Sequence, residues 1–485
     1  MKENYDAIVV GGGIGGLITA GLLSKRGLDT LIVEKAPAVA GTSRAMEWGG
    51  FRADMIAKVQ TAYFAKPEDT WLYRAFEMTG VTPDLDIVER YLMSIGKKGQ
   101  VKPEFALFDT GAGSDALIDL HSVMTGFELN TKQKTELERV LSEMGTISEE
   151  TCKEFLGMGF KEWSEKNVGD IVIQMFFLGT TLLAGLDPSD FAAGHMMGAI
   201  GPIHRGSFCF ALPRGALMED GLIAPLAKAV EQLGCETITN TTVKKIIIED
   251  NTVEGVWIID NNTMLSYRIT APIVVSAVPI YHAFGKFLEE KDFTESELRF
   301  VNMIMNCQQE DYWGVYFLKE KVVPEDFPAW SHIFDFRTGG PVYLGDLWIP
   351  LGAKQWLGAT GPEGKQLVVM YMVGGSEGHF EEDYPLYKTL TEEASKFESI
   401  IDSEILPGFL KAVEHKGHLL IEGWGRFNYF KHDPNDTLEV KSKAVKGLYF
   451  AGDTPFVLGS LLGLEKCGRV GIECVDAIAR DMGRS

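Results

Sequence analysis

The stretch DAIVVGGGIGG, residues 6–16, decides the fold of this 485-residue chain. A short apolar run is followed at once by three glycines in the spacing Gly-x-Gly-x-x-Gly: Gly11, Gly13 and Gly16. The hydrophobic periodicity predicts a strand over 7–10, a glycine turn, a helix over about 16–26 and a strand over 30–33. This order of elements is a βαβ unit, and it predicts an α/β fold.

The glycine turn is also a predicted dinucleotide site. Glycines there permit a tight turn and close approach of the backbone to a pyrophosphate, whose charge is met by the N-terminus of the helix. Glu34 ends the next strand, with Lys35 beside it, and is placed to accept hydrogen bonds from an adenosine ribose. The alternative is a plain tight turn with a solvated acid, but strand, helix and acid in register favour the dinucleotide. NAD and FAD share this pattern because both contain ADP.

A second segment, GLYFAGDTPFVLGSLLGLEKCGRVG (447–471), favours FAD over NAD. Asp453 lies at the tip of a predicted strand, and a final helix is predicted to begin near Gly463. The ribityl chain and ring of a flavin extend away from the ADP half, so they need a contact remote in sequence. Asp453 can accept hydrogen bonds from ribityl hydroxyls, and the positive end of the helix can face the ring edge that becomes negative on reduction.

Both ends of the chain resemble the FAD-dependent amine oxidase and phytoene desaturase superfamily of flavin oxidoreductases, with a leaning toward its carotenoid desaturase and isomerase branch. The matching segments are residues 6–54, 242–279, 405–415 and 447–479. The resemblance implies an α/β fold with a Rossmann-type FAD-binding domain. This domain would be glutathione reductase-like and of the amine oxidase and phytoene desaturase type. An α+β substrate domain would be interleaved with it.

The resemblance also implies where FAD is bound. The positions that match the cofactor contacts of the family, or lie in the same loops, are Gly11, Gly13, Gly16, Glu34, Lys35, Gly41, Thr42, Arg44, Val243, Gly452, Asp453, Gly463 and Leu464. Val243 would contact the adenine through its backbone. The family usually has a Gly-Gly-Arg-type loop where this chain has Ala40-Gly41-Thr42-Ser43-Arg44, so the residue of this loop that contacts FAD stays open.

The two domains are expected to be built from alternating segments. The FAD-binding domain is assigned residues 1–60, 206–284 and 441–485, and the substrate domain residues 61–205 and 285–440. The substrate segments are rich in Phe, Met, Leu and Trp. Such residues can line a cavity for an apolar substrate, and they are also what an ordinary core contains.

Two aromatic residues are candidate substrate contacts. Trp424 and Tyr429 precede the flavin strand in EGWGRFNYF (422–430), where the superfamily often presents an aromatic wall to the flavin; packing against the sheet is the alternative. Three polar residues could act as an acid or as anion contacts, or be ordinary surface and core residues: His195, His204 and Arg205. The sequence contains no recognisable catalytic constellation, so the catalytic residues are unknown, and no metal site is predicted.

Composition limits the partners and the location. The net charge of −22 argues against nucleic acid, because that affinity is carried by Lys and Arg. The six cysteines form no CxxC pair, and the polar start of the chain has no signal-peptide pattern, so a cytoplasmic protein is expected. The apolar segment 171–186 is too short to span a bilayer. It is expected to be a buried helix or a cavity wall, with a peripheral membrane contact as the alternative.

These observations predict an enzyme. The expected activity is that of an FAD-dependent oxidoreductase of the phytoene desaturase-like type, which oxidises or reduces a C–C or C=C bond of an apolar, isoprenoid or alicyclic small molecule by hydride transfer at flavin N5. The alternatives are a flavin-dependent isomerase of a polyene or unsaturated fatty acid, and an amine oxidase. The electron donor or acceptor is unknown. No second GxGxxG follows a strand and opens a helix, so a dedicated NADPH domain is not expected.

Overall fold

The structure is a computed structural model, and it describes most of the chain. The described residues are 2–54, 68, 70–88, 118, 128–182, 187–204, 210–306, 310–325, 327, 330–335, 342–352, 358–373, 384–422, 429–458 and 463–483.

Strands and helices occur in runs along the described part of the chain. The strands are β1 (Ala7–Val10), β2 (Thr30–Val33), β3 (Ala45–Trp48), β4 (Phe51–Asp54), β5 (Leu85–Val88), β6 (Phe210–Pro213), β7 (Glu236–Ile238), β8 (Thr241–Glu249), β9 (Thr252–Asp260), β10 (Ser266–Thr270), β11 (Ile273–Ser276), β12 (Glu310–Leu318), β13 (Trp330–Asp335), β14 (Val342–Leu351), β15 (Gln366–Val373), β16 (Val413–Glu422) and β17 (Leu448–Phe450). The helices are α1 (Ile14–Lys25), α2 (Trp71–Thr79), α3 (Thr131–Thr146), α4 (Glu149–Glu154), α5 (Phe160–Asn167), α6 (Ile171–Leu182), α7 (Ala193–His204), α8 (Ala224–Gln232), α9 (Ile280–Ala283), α10 (Glu295–Asn306), α11 (Tyr384–Ile400), α12 (Phe409–Ala412) and α13 (Gly463–Asp481).

A five-stranded parallel sheet in the order β17-β11-β1-β2-β7 forms the centre of the first part of the fold. Its strands come from segments far apart in sequence, and every pair in the sheet is parallel. The first predicted βαβ unit is therefore correct, with α1 beginning at Ile14, two residues before the predicted start. The last helix begins at Gly463, as predicted. The carboxyl ends of the parallel strands meet at one edge, which is where open α/β sheets bind ligands.

A separate antiparallel sheet in the order β13-β14-β15-β12-β16 forms the centre of the second part of the fold. Side chains alternate between its two faces along β12. Trp313 and Phe317 join a large apolar cluster with helices α3–α7, whereas Tyr312 and Tyr316 pack against α11. Helix α3 begins with a capping box formed by Asn130. The predicted fold class, an α/β sheet with a second α+β part, is correct, while the exact domain boundaries stay predictions.

Helix α6 (Ile171–Leu182) is only partly buried, so the expectation of a buried helix is met on one face. Phe176 and Phe177 lie in the apolar cluster. Ile171 and Met175, one turn apart, are 65% and 53% exposed. No helix in the described part of the chain is both long and apolar enough to span a membrane. The peripheral membrane contact and the cytoplasmic location stay predictions.

Candidate flavin site

The glycine turn sits at the carboxyl edge of the parallel sheet. Backbone hydrogen bonds join neighbouring strand ends there: the Gly11 N–H donates to Val33 at 2.9 Å, and the Ala451 N–H donates to Ser276 at 3.0 Å. Gly11 has a φ of +104°, which L side chains rarely adopt. A β-carbon on Gly16 would lie 2.0 Å from the Gly11 carbonyl oxygen, so the first and third glycines of the pattern are both required by the turn itself.

Glu34 is fixed beside this turn. Its carboxylate accepts hydrogen bonds from the Gly12 N–H at 2.7 Å and from the Ala36 N–H at 2.8 Å, and the side chain is buried. Each carboxylate oxygen can accept a second hydrogen bond. The arrangement therefore leaves acceptor capacity for a ribose hydroxyl at the position predicted for one. The neighbouring Lys35 is exposed, and its carbonyl oxygen accepts from the Asn261 amide at 3.1 Å.

Two remote segments converge on the glycine turn. A β-carbon on Gly41, which has a φ of +56°, would lie 3.0 Å from the Gly13 Cα. A β-carbon on Gly15 would lie 2.5 Å from the Gly452 Cα. These approaches are possible only without side chains, so the loop at 41 and the segment at 452 close around the start of α1. A backbone cradle of this kind suits a pyrophosphate.

The other predicted residues of the loop after β2 face different ways. Thr42 is exposed, and the Arg44 guanidinium donates to the Ala38 carbonyl at 2.7 Å. Of the predicted residues Gly41, Thr42 and Arg44, Gly41 is therefore the one that the structure places against the glycine turn.

Val243 lies near the Glu34 end of the site. It is buried in β8, whose first residue, Thr241, donates its N–H to the Glu34 carbonyl at 2.9 Å. The pairing of β8 with β9 is irregular between Val243 and Lys245. The predicted adenine contact and the predicted ribose contact thus come from neighbouring positions.

Asp453 and the start of α13 face each other at the opposite end. A β-carbon on Gly463 would lie 3.9 Å from Asp453 Oδ1, and Leu464 is buried behind it. The structure therefore brings together the carboxylate and the helix N-terminus that the sequence assigned to the ribityl chain and the ring.

Lys466 was not predicted, yet it contacts Asp453 directly. Its ammonium donates to the Asp453 carbonyl oxygen at 2.5 Å and lies 3.7 Å from Asp453 Oδ1. Burial lowers the pKa of Lys466. In the sequence, Lys466 is one of two charged residues in the first turn of the last helix. The sequence does not show how deeply its side chain is buried.

Glu465 was also missed, and it joins the flavin segment to α2. Its carboxylate accepts from the Trp71 N–H at 2.7 Å and from the Leu72 N–H at 2.9 Å, so it caps α2. Burial raises the pKa of Glu465 to about 7. The contact fixes the start of α13 relative to a helix that is almost four hundred residues earlier.

The large apolar cluster reaches the flavin segment. It contains the β12 face described above, side chains from α3–α7, and Leu458 from the loop after Asp453. Tyr429 belongs to it, with its ring stacked on Phe191 at 5.4 Å and 4.7 Å from the ring of His195. Both His195 and Tyr429 are buried. Trp424, Arg205 and the side chain of His204 lie outside the described residues.

Two buried nitrogen atoms near this cluster have no hydrogen-bond partner among the described residues. One is Trp313 Nε1, on the sheet face of the cluster, and the other is His432 Nε2. His432 Nδ1 lies 2.7 Å from the Phe430 carbonyl, and a carbonyl can only accept, so Nδ1 carries the proton and Nε2 a lone pair. Burial lowers the pKa of His432, which favours the neutral ring. Neither residue was singled out from the sequence.

The donor set suits a dinucleotide rather than a metal ion. In the described part of the chain, no three His, Cys, Asp or Glu side chains are grouped as metal ligands would be. The glycine cradle fits a pyrophosphate, Glu34 has acceptor capacity beside it, and Asp453 with the α13 N-terminus lies at the far end. These residues fit an extended FAD.

Comparisons with known proteins agree with this geometry. Residues 6–296 match the sequence family described as FAD binding domain. Prolycopene isomerase from Daucus carota is 22% identical over 530 aligned positions, which cover 99% of this chain and 81% of the relative.

Two solved structures share the fold. An oxidoreductase from Methanosarcina mazei superposes with a TM-score of 0.65 at 16% identity, covering 97% of this chain and 99% of the other. Cyclohexylamine oxidase from Brevibacterium oxydans superposes with a TM-score of 0.61 at 14% identity, covering 99% and 100%. The predicted superfamily, fold and cofactor are therefore confirmed. The chain belongs to the FAD binding domain family, and it is an FAD flavoprotein of the amine oxidase and carotenoid desaturase superfamily.

Proposed function

We propose that this FAD-dependent enzyme oxidises or reduces a C–C or C=C bond of an apolar, isoprenoid or alicyclic small molecule. The observation that carries the proposal is the large apolar cluster, which extends from the β12 sheet face to Leu458 in the loop after Asp453. A substrate at the flavin would therefore meet apolar and aromatic side chains. The full-length similarity to a prolycopene isomerase supports a polyene or isoprenoid substrate.

We further propose the following placement of FAD on this chain. The glycine turn and Gly41 hold the pyrophosphate, Glu34 the ribose and the Val243 backbone the adenine. Asp453 holds the ribityl chain, and the N-terminus of α13 faces the ring. Bound FAD supplies a hydride acceptor or donor at N5. The chain itself orients the substrate against that atom and excludes water, which the apolar cluster is suited to do.

Isomerisation of a polyene or unsaturated fatty acid is the second candidate. The prolycopene isomerase relative matches 99% of this chain, so the similarity includes the substrate segments as well as the flavin segments. Both candidates require the same apolar site and differ in whether electrons leave the protein. The substrate would be an apolar small molecule in either case, and the electron donor or acceptor remains to be identified.

One experiment separates these candidates. The flavin of the purified yellow protein is photoreduced without oxygen, and lycopene isomers, enones and quinones are then offered while the flavin absorption band is followed. Reoxidation of the flavin by an enone or polyene, with a product of altered mass, supports C=C oxidoreduction. A product of unchanged mass with the flavin still reduced supports isomerisation. In a parallel assay, amines are offered to the oxidised protein in air. Peroxide formed there, with no reaction of the apolar compounds, would contradict both candidates and indicate amine oxidation.

A further inference from the structure

Lys466 is a fully buried cation in the flavin segment. Its side chain is 2% exposed, whereas lysine is almost never buried completely unless it is paired. The ammonium contacts one residue twice, through the carbonyl oxygen of Asp453 at 2.5 Å and through its carboxylate at 3.7 Å. Hydrogen bonds from a charged donor are roughly twice as strong as neutral ones. Lys466 therefore fixes both the backbone and the side chain of Asp453.

The exposure of the two partners shows which one faces the site. The Asp453 side chain is 28% exposed and lies beside Gly463, whereas the Lys466 side chain is only 2% exposed. Lys466 thus lies behind Asp453 and does not contact the cofactor itself. Any effect on FAD has to pass through Asp453 or through the electric field.

Burial lowers the pKa of Lys466, and the Asp453 carboxylate acts against that shift. The Lys466 ammonium and this carboxylate therefore balance each other's charge at the start of α13. The helix N-terminus carries a partial positive charge that is equivalent to roughly half an elementary charge. Lys466 is in the first turn of this helix. The next cation along the helix, Arg469, is paired with Glu473 at 2.7 Å and with Glu149 at 3.2 Å, so its charge is balanced locally.

We propose that Lys466 is a positioning residue of the flavin site, which holds Asp453 in place and balances its negative charge beside the flavin. The inference rests on the placement of FAD given above. It does not depend on the substrate, because both effects act on the cofactor alone. A flavin gains negative charge on reduction, so an Asp453 carboxylate that has lost its cation would disfavour the reduced form more than the oxidised form.

The test uses the FAD-loaded protein without any substrate. Lys466→Met removes the charge and the donor, Lys466→Gln keeps a neutral donor, and Lys466→Arg keeps the charge. Lys441→Met is the matched control, because Lys441 pairs with Asp481 at 2.7 Å near the other end of the same helix and is exposed. The measurements are the dissociation constant of FAD and the two-electron midpoint potential of the bound flavin.

We expect Lys466→Met to weaken FAD binding at least tenfold and to lower the midpoint potential by about 30 mV, which is a tenfold change in the oxidised-to-reduced ratio. Lys466→Arg should retain most of the wild-type potential, and Lys441→Met should change neither quantity.

The melting temperature of each variant, measured by thermal unfolding, shows whether the substitution affects only the stability of the protein. A folded Lys466→Met protein with an unchanged FAD affinity and an unchanged potential would overturn the proposal, whatever its stability. If the methionine variant does not fold, Lys466→Gln decides, because the loss of charge alone must still lower the potential. Failure of every candidate substrate would count against the proposed reaction and leave these two measurements valid.

Discussion

Gly15 and Gly452 are in backbone contact, although they come from opposite ends of the chain. A β-carbon on Gly15 would lie 2.5 Å from the Gly452 Cα, and Gly452 itself has a φ of +73°. The contact holds the first turn of α1 against the segment that precedes Asp453. The segments predicted to bind the two ends of FAD therefore meet at a contact where neither Gly15 nor Gly452 accommodates a side chain.

The first prediction tests this contact. Gly15→Ala should destabilise the protein by roughly 2–3 kcal/mol, because an added methyl group in a close-packed site forces the backbone apart. FAD affinity should fall with it. Gly417→Ala is the control, since nothing lies near its added β-carbon. Chemical denaturation and FAD titration of both variants provide the measurement, and equal behaviour of the two would show that the contact is dispensable.

Removal of the Glu34 carboxylate should weaken cofactor binding. In Glu34→Ala the buried Gly12 N–H loses its acceptor, which costs about 1–3 kcal/mol, and the proposed ribose contact is lost as well. We expect the dissociation constant of FAD to rise at least tenfold, by titration with flavin fluorescence. Glu249→Ala, at an exposed position in β8, should bind FAD normally. An unchanged affinity in Glu34→Ala would remove this residue from the cofactor site.

Asp453→Ala should lower the FAD content of the purified protein. The variant loses the carboxylate proposed for the ribityl hydroxyls, and Lys466 loses the acceptor at 3.7 Å. Asp453→Asn retains a side-chain acceptor and should show a smaller loss. The measurement is the ratio of flavin to protein absorbance after purification, and full flavin content in the alanine variant would refute the assigned role.

Glu465 should make stability depend on pH. Its pKa is raised by burial from 4.5 to about 7 in the folded protein, so the folded state holds this proton more tightly than the unfolded state. The resulting stabilisation is complete below pH 4.5 and is lost as the pH rises toward 7. A shift of this size corresponds to up to about 3 kcal/mol.

Glu465→Gln is the variant that checks this dependence. It keeps an acceptor for α2 and cannot ionise, so the free energy of unfolding of the wild type minus that of the variant should decrease between pH 5 and pH 7. Denaturant titrations with saturating FAD at several pH values measure it. Parallel pH profiles of the two proteins would contradict the buried, proton-retaining carboxyl group.

Trp313→Phe should be tolerated in the substrate-free protein. The phenyl ring can keep the packing against Tyr371, whose ring lies 4.3 Å away, while the buried N–H without a described partner disappears. We expect the free energy of unfolding to change by no more than about 1 kcal/mol, because removal of this N–H offsets part of the packing lost with the smaller ring. Trp257→Phe, at a 42% exposed position, provides the comparison. A loss well above 1 kcal/mol would contradict the expected tolerance.

The sequence predicted the parts of the site that depend on local backbone chemistry. Gly11 and Gly16 are required by a turn with positive φ and by a close approach within six residues, so their spacing alone indicated the βαβ unit. The final helix was located by its glycine-rich start. The interleaving of two domains was inferred from composition, and its boundaries are not fixed by any single residue.

The contacts that join the site across the chain could not be predicted in this way. Glu465 reads as an ordinary acid in the first turn of a helix, and Lys466 as an ordinary surface cation. Both side chains are buried by the packing of α13 against α2 and against the segment at 452. Burial raises the pKa of Glu465, and the same packing places Lys466 against Asp453. His432 and Trp313 are similar cases, because whether a buried nitrogen finds a partner among the described residues depends on its surroundings.

The sequence by itself therefore determined the Rossmann-type unit and the class of cofactor, since glycine spacing and strand-end carboxylates act over a few residues. The tertiary structure decided which charges are buried and what they contact. Those properties depend on residues hundreds of positions apart, and the free energy of a charge is set by the dielectric and the partners around it rather than by its neighbours in sequence.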